Sequence, residues 1–155
     1  MNLETNNPEE QKGFKDLLRD IIIPKMEIIS VAIIIIAFVL KYFEASGYAS
    51  IFSIGLTTLA ITSYLYAFLY KTEGFLENLV LKTGHIACSI SIIGFLFTLL
   101  HLPGNQPMLN IGSAALAIAT VAMIYLMTQS QSKKHRQITI RFVAILLLIA
   151  PTIFL

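Results

Sequence analysis

The chain has 155 residues, 56% of them hydrophobic and only 13% charged, with a net charge of +2. A soluble domain is nearer half apolar and a quarter charged, so a mean hydropathy of +0.77 excludes an ordinary water-soluble fold and points to lipid as the solvent. A single cysteine, Cys88, excludes an intrachain disulfide, no Cys/His spacing of the zinc type occurs, and the small net charge gives no sign of a nucleic-acid partner.

The first element begins at Asn7-Pro8-Glu9-Glu10. Asn7 is a helix-capping residue, Pro8 suits the first helical position, and two acids favour the positive end of the helix dipole. Phe14, Leu17, Leu18, Ile21 and Ile22 then recur at helical spacing among Lys12, Lys15, Asp16 and Arg19. This reads as an amphipathic helix over residues 8–20 lying on the membrane surface, with a loosely helical tail as the alternative. No cleavage site of a signal peptide follows the first apolar run, which reads as a retained helix.

Pro24 is expected to break or kink the chain. Residues 1–24 therefore form an N-terminal segment, and residues 25–155 the membrane domain. A bilayer needs about 20 helical residues per crossing. Five segments offer themselves: 25–44, 51–70, 81–102, 108–128 and 138–155. Lys71, Glu73 and Glu77 mark the end of the second, with Gly74 as a break, and Pro103-Gly104 ends the third. The polar segment Gln129–Arg136 follows the fourth. The fifth carries Arg141 near its start and Pro151 near its end, and reads either as a tilted span or as an interfacial segment. The expected fold is all-α: a polytopic bundle of two helical hairpins plus a fifth helix.

Charge sets the expected orientation. With alternating crossings, Lys12, Lys15, Arg19, Lys25, Lys71, Lys82, Lys133, Lys134, Arg136 and Arg141 fall on one side, and of the 11 basic residues Lys41 alone falls on the other. The positive-inside rule makes the richer side cytoplasmic, with the N-terminus inside and the turns at 44–50 and 101–107 outside. The expected location is the cell's inner membrane.

The two hairpins, 25–70 and 82–127, align at an offset of 57 residues. Ile35, Ile36 and Phe38 fall on Ile92, Ile93 and Phe95; Gly47 on Gly104; Ile54-Gly55 on Ile111-Gly112; Leu59-Ala60-Ile61 on Leu116-Ala117-Ile118; and Lys25 on Lys82. Gly47 and Gly104 sit where a helix must reverse, a place for a residue tolerant of positive φ. Gly55 and Gly112 lie early in the returning helix, where a missing side chain lets a neighbour approach. Two crossings per unit make this a parallel repeat rather than the inverted kind common in transporters.

The segment Leu100-His101-Leu102-Pro103-Gly104-Asn105-Gln106-Pro107-Met108-Leu109-Asn110-Ile111-Gly112 resembles the N-terminal membrane hairpin of the GldL-type subunit of the gliding-motility and type IX secretion motor. There an apolar helix ends in Leu-His-Trp-Pro-Gly, and a Met-Leu pair leads to an apolar residue and Gly. The resemblance covers residues 90–125 and, more faintly, 33–68. Leu102 stands in place of the Trp. Leu116, and Leu59 in the first copy, stand where the family carries a membrane carboxylate implicated in proton use. The resemblance therefore implies the hairpin and not the motor activity.

Ionisable groups inside a bilayer are functional candidates. Glu27, Lys41, Glu44, Lys82, His85, His101 and Arg141 all fall near span ends, where each reads as an interfacial anchor. Glu44 and His101 occupy equivalent places beside the outer turns and are expected to pair, so Glu44, Gly47, His101, Pro103 and Gly104 form the expected outer contact surface. Cys88, beside Ser89 and Ser91, reads as a buried inert thiol. Gly55, Gly112, Ser113 and Ala117, with Ala114, Ala115 and Ala119, read as a small-residue packing surface, within the chain or between subunits. Tyr64, Tyr66, Tyr70 and Tyr125 gather where an aromatic belt forms. Lys133, Lys134 and Arg136, with His135, form a basic cluster facing lipid headgroups. No nucleophile–base set, phosphate loop or metal motif appears. Catalytic, metal and cofactor sites are thus expected to be absent. The expected role is a non-enzymatic subunit or scaffold, partnered by lipid, by other membrane subunits or by copies of itself. A channel or transporter, and then an intramembrane enzyme, are the alternatives.

Overall fold

The computed structural model describes residues 8–70, 72, 74–129 and 133–153, with side chains described from 13 to 129 (except 71 and 73) and from 136 to 150. The described chain is all-helical: α1 (Pro8–Leu17), a five-residue π turn (Leu18–Ile22), α2 (Ile23–Tyr42), α3 (Tyr48–Leu69), α4 (Phe75–Leu99), α5 (Asn105–Gln129) and α6 (Lys133–Ile153). Four helical stretches are long and apolar enough to cross a membrane: Gly13–Tyr42, Tyr48–Leu69, Phe75–Leu99 and Asn105–Gln129. The chain is a multi-pass membrane protein by that criterion. The expected cap Asn7, the residues Lys71 and Glu73, and the terminal Leu155 lie outside the described residues.

The helix does not break at Pro24. Pro24 sits in the first turn of α2, directly after the π turn, whose wider winding is closed by the Ile23 N–H donating to the Leu18 carbonyl. Proline lacks a donor, and its ring collides with the carbonyl four residues earlier. A turn with one extra residue relieves both problems without leaving the helix. The surface helix expected over 8–20 and the first span are therefore continuous, and Phe14, Leu17 and Ile21 remain exposed along it.

Other boundaries also moved. Helix α4 starts at Phe75, six residues before the expected Leu81, with Gly74 in extended conformation at its N-cap and Glu77 in its first turn. A carboxylate in that turn is favourable to the helix dipole, so a charge that looked like a loop signal is a helix-start signal. Helix α6 likewise begins at Lys133 rather than residue 138.

The hairpin turns are alike in every backbone detail. Glu44 (φ 52) and His101 (φ 54) are left-handed, as are Gly47 (φ 93) and Gly104 (φ 84). The N–H of Ala45 bonds to the carbonyl of Leu40, and that of Leu102 to Phe97; Glu44 bonds to Lys41, and His101 to Thr98. These paired bonds make each helix end a Schellman motif. Both motifs place a non-glycine at the left-handed position, where a Cβ costs about 1–2 kcal/mol. The glycines instead open the returning helices.

Packing follows glycine. A Cβ on Gly94 would lie 2.8 Å from the Leu109 nitrogen, and one on Gly112 would lie 2.6 Å from Ser91 Oγ and 2.8 Å from its nitrogen. The backbones of α4 and α5 thus nearly touch at two levels. In the first hairpin the equivalent Gly55 faces Ile34, whose side chain is 2.9 Å from such a Cβ. Residues 34 and 91 are themselves 57 apart, so the same contact recurs in both hairpins. Ser113 bonds its own helix at the Asn110 carbonyl, and Ala117 faces outward; buried Leu116 and Ala119 fill the interface instead. The core is apolar, built around Phe52, Leu56, Leu81, Ile92, Leu116, Met123 and Phe142. Helix α4 is central: it packs on α3, α5 and α6, while α2 packs on α3.

These contacts rank the glycine substitutions. Gly94→Ala and Gly112→Ala press a methyl onto backbone and are expected to lose about 1–3 kcal/mol. Gly55→Ala meets a side chain that can shift and should lose less. Gly13→Ala has open space and should gain about 0.5–1 kcal/mol of helix stability. Thermal unfolding in detergent, followed by helical circular dichroism, checks the order; equal losses at positions 13, 55 and 112 would contradict it.

Candidate functional site

Four helices bring polar side chains to one end of the bundle. Glu27 comes from the start of α2, Tyr66 from the end of α3, His85 from α4 and Arg141 from α6. Antiparallel neighbours necessarily share an end in this way, so residues far apart in sequence become neighbours.

The cluster is seated by a wedge. Gly84 leaves a notch in α4 that the Phe142 ring fills; a Cβ there would lie 2.5 Å from two ring carbons. Phe142 is fully buried. Seating it fixes the rotation of α6, and the preceding residue, Arg141, then lies over the Tyr66 ring at 5.1 Å from its centroid. The same guanidinium donates to the Glu27 carboxylate at 3.0 Å, with the Arg141 and Glu27 side chains 36% and 22% exposed. The Tyr66 hydroxyl is close enough to interact with both. A cation over an aromatic face contributes about 0.5–2 kcal/mol as water is removed. A charge-assisted hydrogen bond of this kind contributes about 1.5–3 kcal/mol.

His85 completes the group. Its ring stacks on Tyr66 at 5.4 Å and meets Phe142 edge-on at 5.2 Å. It is only 3% exposed, and its Nε2 meets no hydrogen-bond partner among the described residues. Aromatic contacts on two sides hold this imidazole. Cys88, one turn further along α4, is buried beside Ser63.

Three of the expected interfacial anchors are therefore something else. Glu27 and Arg141 are an interhelical ion pair, and His85 lies ten residues into α4 and packs in the interior. Tyr66, expected in an aromatic belt, is buried at the centre of the cluster, whereas Tyr64 and Tyr125 are exposed as a belt requires. Lys41 is exposed and Lys82 half-buried. The expected pairing of Glu44 with His101 is not formed: both are exposed, and no hydrogen bond or ion pair joins them among the described residues. Gly47, Pro103 and Gly104 are exposed on the same turns. Arg136 is exposed, while the side chains of Lys133 and Lys134 lie outside the described ones. No group of three or more His, Cys, Asp or Glu fit for a metal occurs among the described residues.

The sequence did carry a signal for this cluster. Glu27 and Arg141 are opposite charges about one turn inside the same end of two spans, and an unpaired charge at that depth is costly.

A double-mutant cycle tests the pair. Glu27→Gln and Arg141→Gln are each expected to cost about 1–3 kcal/mol, because each strands a partly buried charge. The double variant should lose clearly less than the sum, since no charge is left without its partner. Additive losses in thermal unfolding would show that the two side chains do not interact.

No family model matches the chain, and neither a curated protein nor a solved structure matches it, so the functional reading rests on the bundle's own geometry.

Proposed function

We propose that this chain is a non-enzymatic subunit of a membrane assembly, working through helix packing and its outer turns. One observation carries the reading: Glu27 and Arg141 are committed to each other and most helix hydroxyls to their own backbone, with buried Ser91 Oγ and His85 Nε2 as exceptions, while the outward faces stay apolar. Glu27 is paired with Arg141. Ser30, Ser53, Thr58, Thr62, Thr98 and Thr120 each donate to a carbonyl three or four residues earlier. Ile28, Ile29, Ile35 and Ile36 on α2, and Ile111, Ile118 and Val121 on α5, are exposed. Such faces suit lipid, another subunit or a second copy of the chain.

In this reading α6 crosses the membrane as a fifth span. The N-terminus is cytoplasmic, because ten of the 11 basic residues share its side. The two hairpins are copies of one unit, of the kind the GldL-type resemblance implies; the shared turn geometry and the 34/55 and 91/112 contacts support this.

A channel or transporter has one observation in its favour: Glu27, Arg141, Tyr66 and His85 are ionisable groups gathered within helices. Glu27, Tyr66 and Arg141 lie toward one end of the bundle and are held by one another, which favours the structural role, while His85 lies near the middle of α4.

The two readings part in reconstitution. The purified full chain in liposomes is expected to pass protons, potassium and chloride no faster than empty liposomes, and mild solubilisation from native membranes is expected to recover it as an oligomer or with stoichiometric partners. Ion flux abolished by Glu27→Gln, from a chain that purifies as a lone monomer, would reverse the order.

A further inference from the structure

Helices α2 and α6 barely meet. Their backbones make no close packing of the sort that joins α2 to α3 or α6 to α4, and the Glu27–Arg141 ion pair reaches across the space between them. Beneath it lies a groove of about 310 Å³ lined by Pro24, Glu27, Ile28, Val31 and Arg141. Its walls are apolar apart from the two charges. Ile28 is 70% exposed and Val31 43%, so the groove opens on the bundle's lipid-facing side.

We propose that this groove binds a phospholipid whose headgroup carries both a phosphate and a primary ammonium, such as phosphatidylethanolamine. The headgroup lies across the ion pair, and one acyl chain runs along Ile28 and Val31. Charge complementarity commits the site to this occupant. A guanidinium has five N–H donors and a carboxylate two oxygens with about four acceptor directions. The contact between Arg141 and Glu27 runs from one Arg nitrogen to Glu27 Oε2, and both side chains remain partly exposed. Even with the Tyr66 hydroxyl beside both groups, donors remain on Arg141 and acceptor directions on Glu27. A zwitterionic headgroup supplies the matching order: phosphate oxygens for Arg141, ammonium hydrogens for Glu27.

The depth also fits. The stretch of α2 without a charged residue, residues 28–40, begins directly after Glu27, which puts the pair close to the level where headgroup gives way to chain. Pro24, Lys25 and the exposed Arg136 lie on the headgroup side of it. An anionic lipid without an amine would satisfy Arg141 and face repulsion from Glu27. A choline lipid has no N–H to give Glu27.

Native mass spectrometry of the full chain in detergent, titrated separately with phosphatidylethanolamine, phosphatidylcholine and phosphatidylglycerol of the same acyl chains, tests this. Phosphatidylethanolamine is expected to bind about tenfold more tightly than either, the equivalent of roughly 1.4 kcal/mol. Val31→Phe fills the groove while leaving both charged residues in the sequence, and is expected to abolish that preference. Glu27→Gln is expected to bring phosphatidylethanolamine and phosphatidylcholine to equal affinity. Equal binding of all three lipids by the native chain, a preference for phosphatidylglycerol, or a preference that survives Val31→Phe would each overturn the proposal. If Glu27→Gln fails to fold, Val31→Phe and the lipid series decide alone. The outcome is independent of whether the chain is a scaffold or a transporter.

Discussion

A bilayer offers the peptide backbone no hydrogen-bond partners, and each group left unpaired in hydrocarbon costs several kcal/mol. Most of this molecule is an answer to that constraint. The described chain is helical, and it passes Pro24 by widening one turn rather than by unwinding. Ser30, Ser53, Thr58, Thr62, Thr98 and Thr120 return their hydroxyl protons to carbonyls of their own helices. Both hairpin turns close their helix ends with Schellman bonds, even though this forces Glu44 and His101 into the left-handed region.

The same constraint governs how helices associate. Lipid is as apolar as leucine, so burying leucine contributes little, and close backbone approach contributes more. The tightest places are where glycine allows it, at Gly94 and Gly112 between α4 and α5 and at Gly84 beneath Phe142. Charges obey it too. Glu27 and Arg141 sit within helices but are spent on each other, with Tyr66 beneath the cation. The ion pair is also what joins α2 to α6 where their backbones do not pack. Among the described residues this contact bridges a seam where α2 and α6 do not pack closely, and it lines the charged groove there.

Much of the fold was legible in the sequence. Apolar runs of bilayer length located α2, α3 and α5 to within a few residues, and the offset of 57 foretold the matched turns and matched glycine contacts. Helices α4 and α6 start earlier than the apolar runs predict, at Phe75 and Lys133, because helix termini in a membrane protein extend into the polar layer, where charge is no bar to helix. The site was legible only in part. Composition placed Glu27, His85 and Arg141 at span ends, but which of seven such residues meet depends on helix rotation. That rotation is set by the Phe142–Gly84 wedge, which no one-dimensional pattern reveals. Glu44 and His101 do not pair for a related reason: matched positions in two hairpins share backbone conformation, which does not bring them together.

The proposed orientation puts the Glu27–Arg141 pair toward the cytoplasmic side of an antiparallel membrane bundle and its two strained turns outside. Site-directed labelling tests it most directly. On a Cys88→Ala background, single cysteines at Ser46, Leu102, Gly13 and Gly74 are treated in intact cells with a membrane-impermeant maleimide. The account predicts labelling at 46 and 102 from outside, and at 13 and 74 only after permeabilisation. Labelling of 46 and 74 from the same side, or of 13 and 74 in intact cells, would contradict it.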